Sequence, residues 1–223
     1  MASVRSTRYT PLRRGQHKLS RAEVAASQRG RMLEAMVEAA AELGYAGASV
    51  AEVIARASVS RRTFYEQFAD KEDCFCAAYD AATRILIDEL RAALEPPGSP
   101  AERVERMVGA YLDRVAAEPA GAKVFLIEAL AAGPVVLARR MRAQETVAEL
   151  VAATFGAGTD AARFACTALV HALISIVTAH VAMRRMARVG TLRAPIAQLV
   201  RQTLRPFEPP ARPRVRPPTR RRS

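Results

Sequence analysis

The run from Ser49 to Phe75, SVAEVIARASVSRRTFYEQFADKEDCF, constrains this chain more than any other segment. It carries three helix-start signals in quick succession. Ser49 with Glu52 fits a capping box, in which the hydroxyl takes the amide three residues on and the acid reaches back to the cap amide. Ser60 stands as an N-cap immediately before Arg61 and Arg62. Asp70 is the third cap, with Glu72 and Asp73 in the first turn beyond it, where carboxylates suit the positive end of a helix. The apolar residues have matching periods. Val50, Val53, Ile54 and Ala57 form one face of a first short helix. Val59 plugs a turn, and Phe64 and Phe68, four apart, share the inner face of a second. Segments this short are not stable alone, so their order must come from packing on neighbouring helices.

Two short helices joined by a tight turn describe a helix-turn-helix, whose second helix meets base edges in the DNA major groove through its N-terminal residues. With Phe64 and Phe68 turned inward, Arg61, Arg62 and Tyr65 are predicted to face a ligand. Arg61 and Arg62 are the candidates for bidentate contact with guanine. Ser60 starts their helix, and Thr63 stands within reach of a base or a phosphate. Ser49 and Lys71, at two helix N-termini, are expected to hold backbone phosphates.

SVSRRTFYEQFADKEDCF resembles the signature of the tetracycline-repressor-like (TetR) family, a V-S-x-x-T-hydrophobic-Y-x-x-F-x-x-K-E core that closes its DNA-binding domain. The upstream RMLEAMVEAAAELGYAGASV is similar to that family's first helix and the Gly-Tyr that ends it. The resemblance spans Arg29 to Tyr79. It implies that the Tyr65 hydroxyl meets a phosphate, and that Gln67 occupies a contact position. It also implies a homodimer on a palindromic DNA operator, with a larger helical domain that binds an unknown small-molecule inducer. Candidates for that ligand pocket are Tyr79, Met107, Tyr111, Phe125, Glu128, Met141, Phe164 and His171. Ligand binding is expected to act by shifting the helix from Lys71 to Leu94 and so changing the distance between the two reading heads. Two positions depart from the usual helix-turn-helix. Ile54 and Ser58 stand where a small residue and a turn Gly are customary.

The formal charge of +12 is concentrated at the chain ends. Residues 1–31 hold eight basic residues and one acidic, and residues 205–223 hold seven and one, which leaves the middle at −1. Basic ends attract polyanions, nucleic acid first among them. Arg8, Arg13 and Arg14 are candidates for a minor-groove arm. Cys74, Cys76 and Cys166 have neither disulfide-framework nor zinc spacing. No metal site and no cofactor are expected, and the cysteines suit a reducing cytoplasm. MASVRSTRYT lacks the apolar core of a secretion signal. Phe164 to Met183 is a stretch without Lys, Arg, Asp or Glu, near the length a bilayer needs. Its Thr, Ser, His and many Ala residues favour a buried or paired soluble helix, and no membrane partner is expected.

The whole chain is predicted to be all-α with about nine helices. A basic arm covers 1–19. The helix-turn-helix domain covers 20–70, with a first helix capped by Ser20 and Glu23 and running from Arg21 to Leu43, its apolar stripe Leu33, Met36, Val37, Ala40 and Leu43. The ligand-binding and dimerisation domain covers 71–204. Its helices are expected at 71–94, 101–117, 123–131, 134–155, 160–189 and from 191 or 195 to 204, with breaks at EPPGSP, Pro119 and Gly121, Gly133-Pro134 and FGAGTD. The helices 160–189 and 191–204 are the expected homodimer surface. The Pro- and Arg-rich 205–223 is expected to be disordered.

No phosphate loop, nucleophile elbow or metal-spaced His or carboxylate set argues for an enzyme. The alternative to a regulator is a general architectural DNA-binding protein driven by the basic termini.

Overall fold

The computed structural model describes residues 21–204, and every regular element among them is helical. The arm with Arg8, Arg13 and Arg14, the Ser20 cap and the tail 205–223 lie outside the described residues. Helix α1 spans Arg21–Gly47, α2 Val50–Ala57, α3 Arg61–Tyr65 and α4 Lys71–Leu94. Beyond them come α5 (Pro100–Ala117), α6 (Pro119–Lys123), a π-helical turn (Val124–Glu128), α7 (Ala129–Ala131), α8 (Pro134–Phe155), α9 (Asp160–Ala182) and α10 (Arg193–Leu204).

Local signals account for most boundaries. Gly44 leaves helical geometry at φ 74°, ψ 163°, so regular helix in α1 stops there and a further turn follows. The Ser60 hydroxyl accepts the Thr63 amide at 3.0 Å, and Asp70 accepts that of Asp73 at 2.8 Å. Ser49 accepts the Glu52 amide at 3.2 Å, but the predicted box is only half made, because the Glu52 carboxylate faces Arg56 at 3.4 Å. A complete box forms instead at Ser99 and Glu102, ahead of α5. Ser58 takes the left-handed conformation that its lack of Gly made costly, φ 52° and ψ 50°. There its amide bonds the Ala55 carbonyl while the Val59 amide bonds that of Ile54, closing a Schellman turn.

Four expectations are corrected. Pro119 begins a helix rather than breaking one, as Pro does at a first helical position, and the short 123–131 segment is two helical pieces joined by the π turn. The long apolar helix ends at Ala182, not 189. Arg184 adopts φ 54° and two 3₁₀ turns follow, because the apolar run gives way to Arg184 and Arg185 at the surface. Leu43 is half exposed, and the buried stripe of α1 is Met32, Ala35, Met36, Ala39 and Ala40.

Two apolar cores result. One joins α1, α2, α3 and the first half of α4, through Phe64, Phe68, Phe75 and Tyr79. This core also takes in Val124, Ala129, Ala132 and Val136 from the larger domain. The second fills the space between the rest of α4 and α5, α8, α9 and α10. The helix α4 is therefore shared: its start belongs to the small domain and its end to the large one.

A further seam ties the domains by polar bonds. The Glu128 carboxylate accepts the Tyr45 amide at 2.9 Å, just past the Gly44 break. Lys123 donates to the Ala41 carbonyl at 2.7 Å and lies 3.5 Å from Glu128. Both residues flank or belong to the π turn, a distortion that recurs at functional positions in helices.

Candidate nucleic-acid interface and ligand cavity

The helix α3 is anchored from beneath. Phe64 and Phe68 are buried, their ring centroids 5.5 Å apart, and the Arg29 guanidinium stacks on Phe68 at 4.4 Å. Arg29 also donates to the Gln67 carbonyl at 3.1 Å, and Arg31 to that of Ala57 at 2.8 Å. These two arginines cap the carbonyl ends of α3 and α2. They belong to the run counted above as a basic end, and nothing in their spacing marked them as structural.

The outward face of α3 is polar and open. Arg61 and Tyr65 are exposed, and the Arg62 side chain is 89% accessible. Arg62 pairs with Glu66 one turn on, at 2.9 Å, an exposed contact weak enough to exchange for a stronger acceptor. Thr63 is half-buried with its hydroxyl 2.8 Å from that of Ser60. Ser49 is exposed at the start of α2, and Gln67 is half-buried beyond α3. Ser49, Arg61, Arg62 and Tyr65 thus stand on accessible surface of the small domain.

Lys71 is different. Its ammonium donates to the carbonyls of Tyr45 and Ala46 at 3.0 and 3.3 Å and sits 4.5 Å from the centre of the Tyr45 ring. In this structure the side chain fastens α4 to the end of α1 rather than standing free at the surface. A phosphate would have to compete with two carbonyls and a ring for the same charge.

In the larger domain a cavity of about 170 Å³ opens between α4, α5, the π turn, α8 and α9. Tyr79, Met107, Tyr111 and Phe125 line it. Four other pocket candidates do not. Glu128 is engaged at the domain seam, Met141 and Phe164 point to solvent at 40% and 74% exposure, and His171 stands outside the lining. Sequence reasoning missed Arg140. It reads as half of an ordinary Arg-Arg surface pair, yet it lines the cavity and is buried, donating to the Phe125 carbonyl at 3.1 Å. Burial pushes the phenols of Tyr79 and Tyr111 up, and the nearby Arg140 guanidinium opposes that rise at both.

With this geometry in view, comparison with known proteins is specific for the small domain. Residues 32–78 match the family described as bacterial regulatory proteins, tetR family. Over these residues the small domain is similar to the regulatory proteins of that family. The match covers α2, α3 and the parts of α1 and α4 that hold them.

The larger domain is placed by its fold. FadR, a fatty acid degradation regulator from Bacillus halodurans, aligns with a TM-score of 0.68 at 21% identity, over 77% of this chain and 96% of its own. FadR from Bacillus subtilis, solved in complex with stearoyl-CoA, aligns at 0.69 and 17% identity, over 77% and 96%. A TetR-family transcriptional regulator from Streptomyces coelicolor aligns at 0.64 and 19%, over 84% and 95%. At these identities the likeness establishes the shared tetR-type helical fold across both domains. No curated protein matches the chain by sequence.

Proposed function

We propose that the chain is a transcriptional repressor that reads a palindromic DNA operator as a homodimer and lets go when a small molecule fills the cavity. The observation that carries the reading is the open α3 face, where Arg61 and Arg62 project from a helix pinned by Phe64 and Phe68 inside a domain similar to those of the tetR family. Tyr65 and Ser49 supply phosphate contacts on either side of it, with Thr63 and Gln67 behind.

Pairing follows from how little one head can read. A five-residue recognition helix touches too few bases to address one genomic site, so two heads on a two-fold axis are needed, with half-sites about one helical turn apart. The surface for pairing is α9 with α10. The most apolar stretch of α9 has a mean hydropathy of 1.8 and only about a third of it is buried. Phe164 and Ile176 on α9, Met183 just past its end and Leu199 on α10 are exposed, and a matching copy would remove them from water.

Release works through unequal ligand affinity for the DNA-ready and DNA-released forms. Two connections reach from the cavity to the head: α4, which lines it and enters the head core, and the π turn, where Phe125 lines the cavity and Glu128 grips Tyr45. The stearoyl-CoA bound by the Bacillus subtilis FadR supports an apolar ligand here as well.

Selection of preferred duplexes from a random pool tests the reading. The expected result is a symmetric consensus, bound far more tightly than random duplex by the intact chain and weakened by Arg61→Ala or Arg62→Ala. Equal binding to all duplexes, lost on removing residues 1–19 and 205–223, would instead establish the architectural alternative.

A further inference from the structure

Arg140 is the only buried charged residue among the described residues, at 8% exposure. A guanidinium keeps its charge at any ordinary pH and offers five donors in a planar fork. Burying such a group is costly unless an opposite charge meets it. Here the Phe125 carbonyl takes one donor at 3.1 Å and the Tyr79 hydroxyl lies alongside, but no described carboxylate comes within ion-pair reach. Its neighbours are not left this way. Arg139 meets Asp80 at 2.7 Å, and Arg114, also at the cavity, meets Glu89 at 2.8 Å and Glu118 at 3.3 Å.

A second polar group on the same wall is incomplete. Tyr111 is 8% exposed, and its hydroxyl is buried with no hydrogen-bond partner. An unmet hydroxyl away from water is itself unfavourable. Gln144, one helical turn beyond Arg140, also lines the cavity. Leu90, Val108 and Leu173 are among the side chains that make the rest of the wall apolar. A positive fork and a free hydroxyl thus share one hydrocarbon chamber, and among the described residues the fork meets no opposite charge and the hydroxyl no hydrogen-bond partner.

We propose that this cavity binds an amphiphile bearing a carboxylate, its two oxygens held by the Arg140 fork and the Tyr111 hydroxyl and its hydrocarbon body lying among the apolar side chains of α4, α5 and α9. The proposal deepens the reading of the larger domain as a ligand-binding domain and rests on it. It assigns the charge and the chemical class of the ligand. A carboxylate matches the guanidinium in plane and charge, and its bidentate pairing is strengthened in a poorly hydrated chamber. A neutral chain would leave Arg140 as it stands, and a cationic one would repel it.

The test is calorimetric titration of the intact protein, without DNA, with octanoate, decanoate and myristate below their micelle concentrations. The neutral decanol and the cationic decyltrimethylammonium serve as controls. At least one carboxylate is expected to bind at one per chain, decanol more weakly and the cation not at all. Arg140→Gln is expected to weaken carboxylate binding about tenfold or more while leaving decanol unchanged, and Arg140→Lys to restore part of the loss. Should Arg140→Gln fail to fold, Tyr111→Phe, which only deletes an unpaired hydroxyl, is expected to weaken the carboxylate severalfold and spare decanol. Equal affinity for decanol and decanoate, carboxylate binding indifferent to both variants, or no binding by any of the three acids would overturn the assignment. Operator release, measured separately, keeps the two readings apart. Carboxylate binding that leaves DNA affinity unchanged sinks ligand-driven release but not the site. Release by decanol and decanoate alike, undiminished for decanoate in Arg140→Gln, sinks the site but not ligand-driven release.

Discussion

Replacing Glu128 with alanine probes the seam between the domains. Its carboxylate is mostly buried, accepts the Tyr45 amide at 2.9 Å and lies 3.5 Å from the Lys123 ammonium. Leaving a buried donor without a partner costs about 1–3 kcal/mol. Tyr45 is half-buried, so water can partly replace the lost acceptor, and the lower half of that range, about 1–2 kcal/mol, applies. The Lys123 pair is partly exposed and adds at most about 1 kcal/mol. The expected loss is thus about 1–3 kcal/mol, a fall in melting temperature of roughly 2–4 °C per kcal/mol for a chain of this size. Glu128→Gln keeps an acceptor oxygen but not the charge and should lose about half as much. Lys123→Ala, combined with Glu128→Ala, should be less than additive because the two share the seam. The assay is thermal unfolding followed by circular dichroism, with the exposed Glu145→Ala as control. A melting temperature for Glu128→Ala indistinguishable from the control would refute the seam as a structural tie.

Three other perturbations follow from the geometry. Arg62→Ala should cost about 1–3 kcal/mol of discrimination at one base pair of the selected operator, read by competition binding. The melting temperature should stay unchanged, since Arg62 contacts only the exposed Glu66. Ser58→Gly relieves a left-handed residue worth about 1–2 kcal/mol but loosens the unfolded chain by about 0.5–1 kcal/mol, so urea unfolding should show a net gain of up to about 1 kcal/mol. Burial pushes the Cys74 thiol from its ordinary value near 9 up to about 12, and burial raises Cys76 and Cys166 as well. The unfolded chain therefore loses these protons first. Stability should hold below about pH 9 and decline as pH climbs toward 12, and a disulfide reagent at pH 8 should modify the thiols only after denaturant is added.

What the sequence by itself determined are features set within a few residues. Caps at Ser49, Ser60 and Asp70, Pro134 at a helix start and the Phe64–Phe68 spacing each depend on groups one turn apart, so α2, α4 and α8 were legible to within a residue or two. The exposed Arg61 and Arg62 followed from the same periodicity. Tertiary structure decided everything that depends on the gap between helices. The Ala-rich helices carry weak faces, so their rotation against one another could not be read from their own patterns. That rotation sent Met141 and Phe164 outward and brought Arg140 in. It also turned Lys71 toward the end of α1 and Glu128 toward Tyr45, because each found a polar backbone group left open by the Gly44 break. A cavity belongs to no single helix. Its shape and its unmatched charge arise only where several helices meet without filling the space between them.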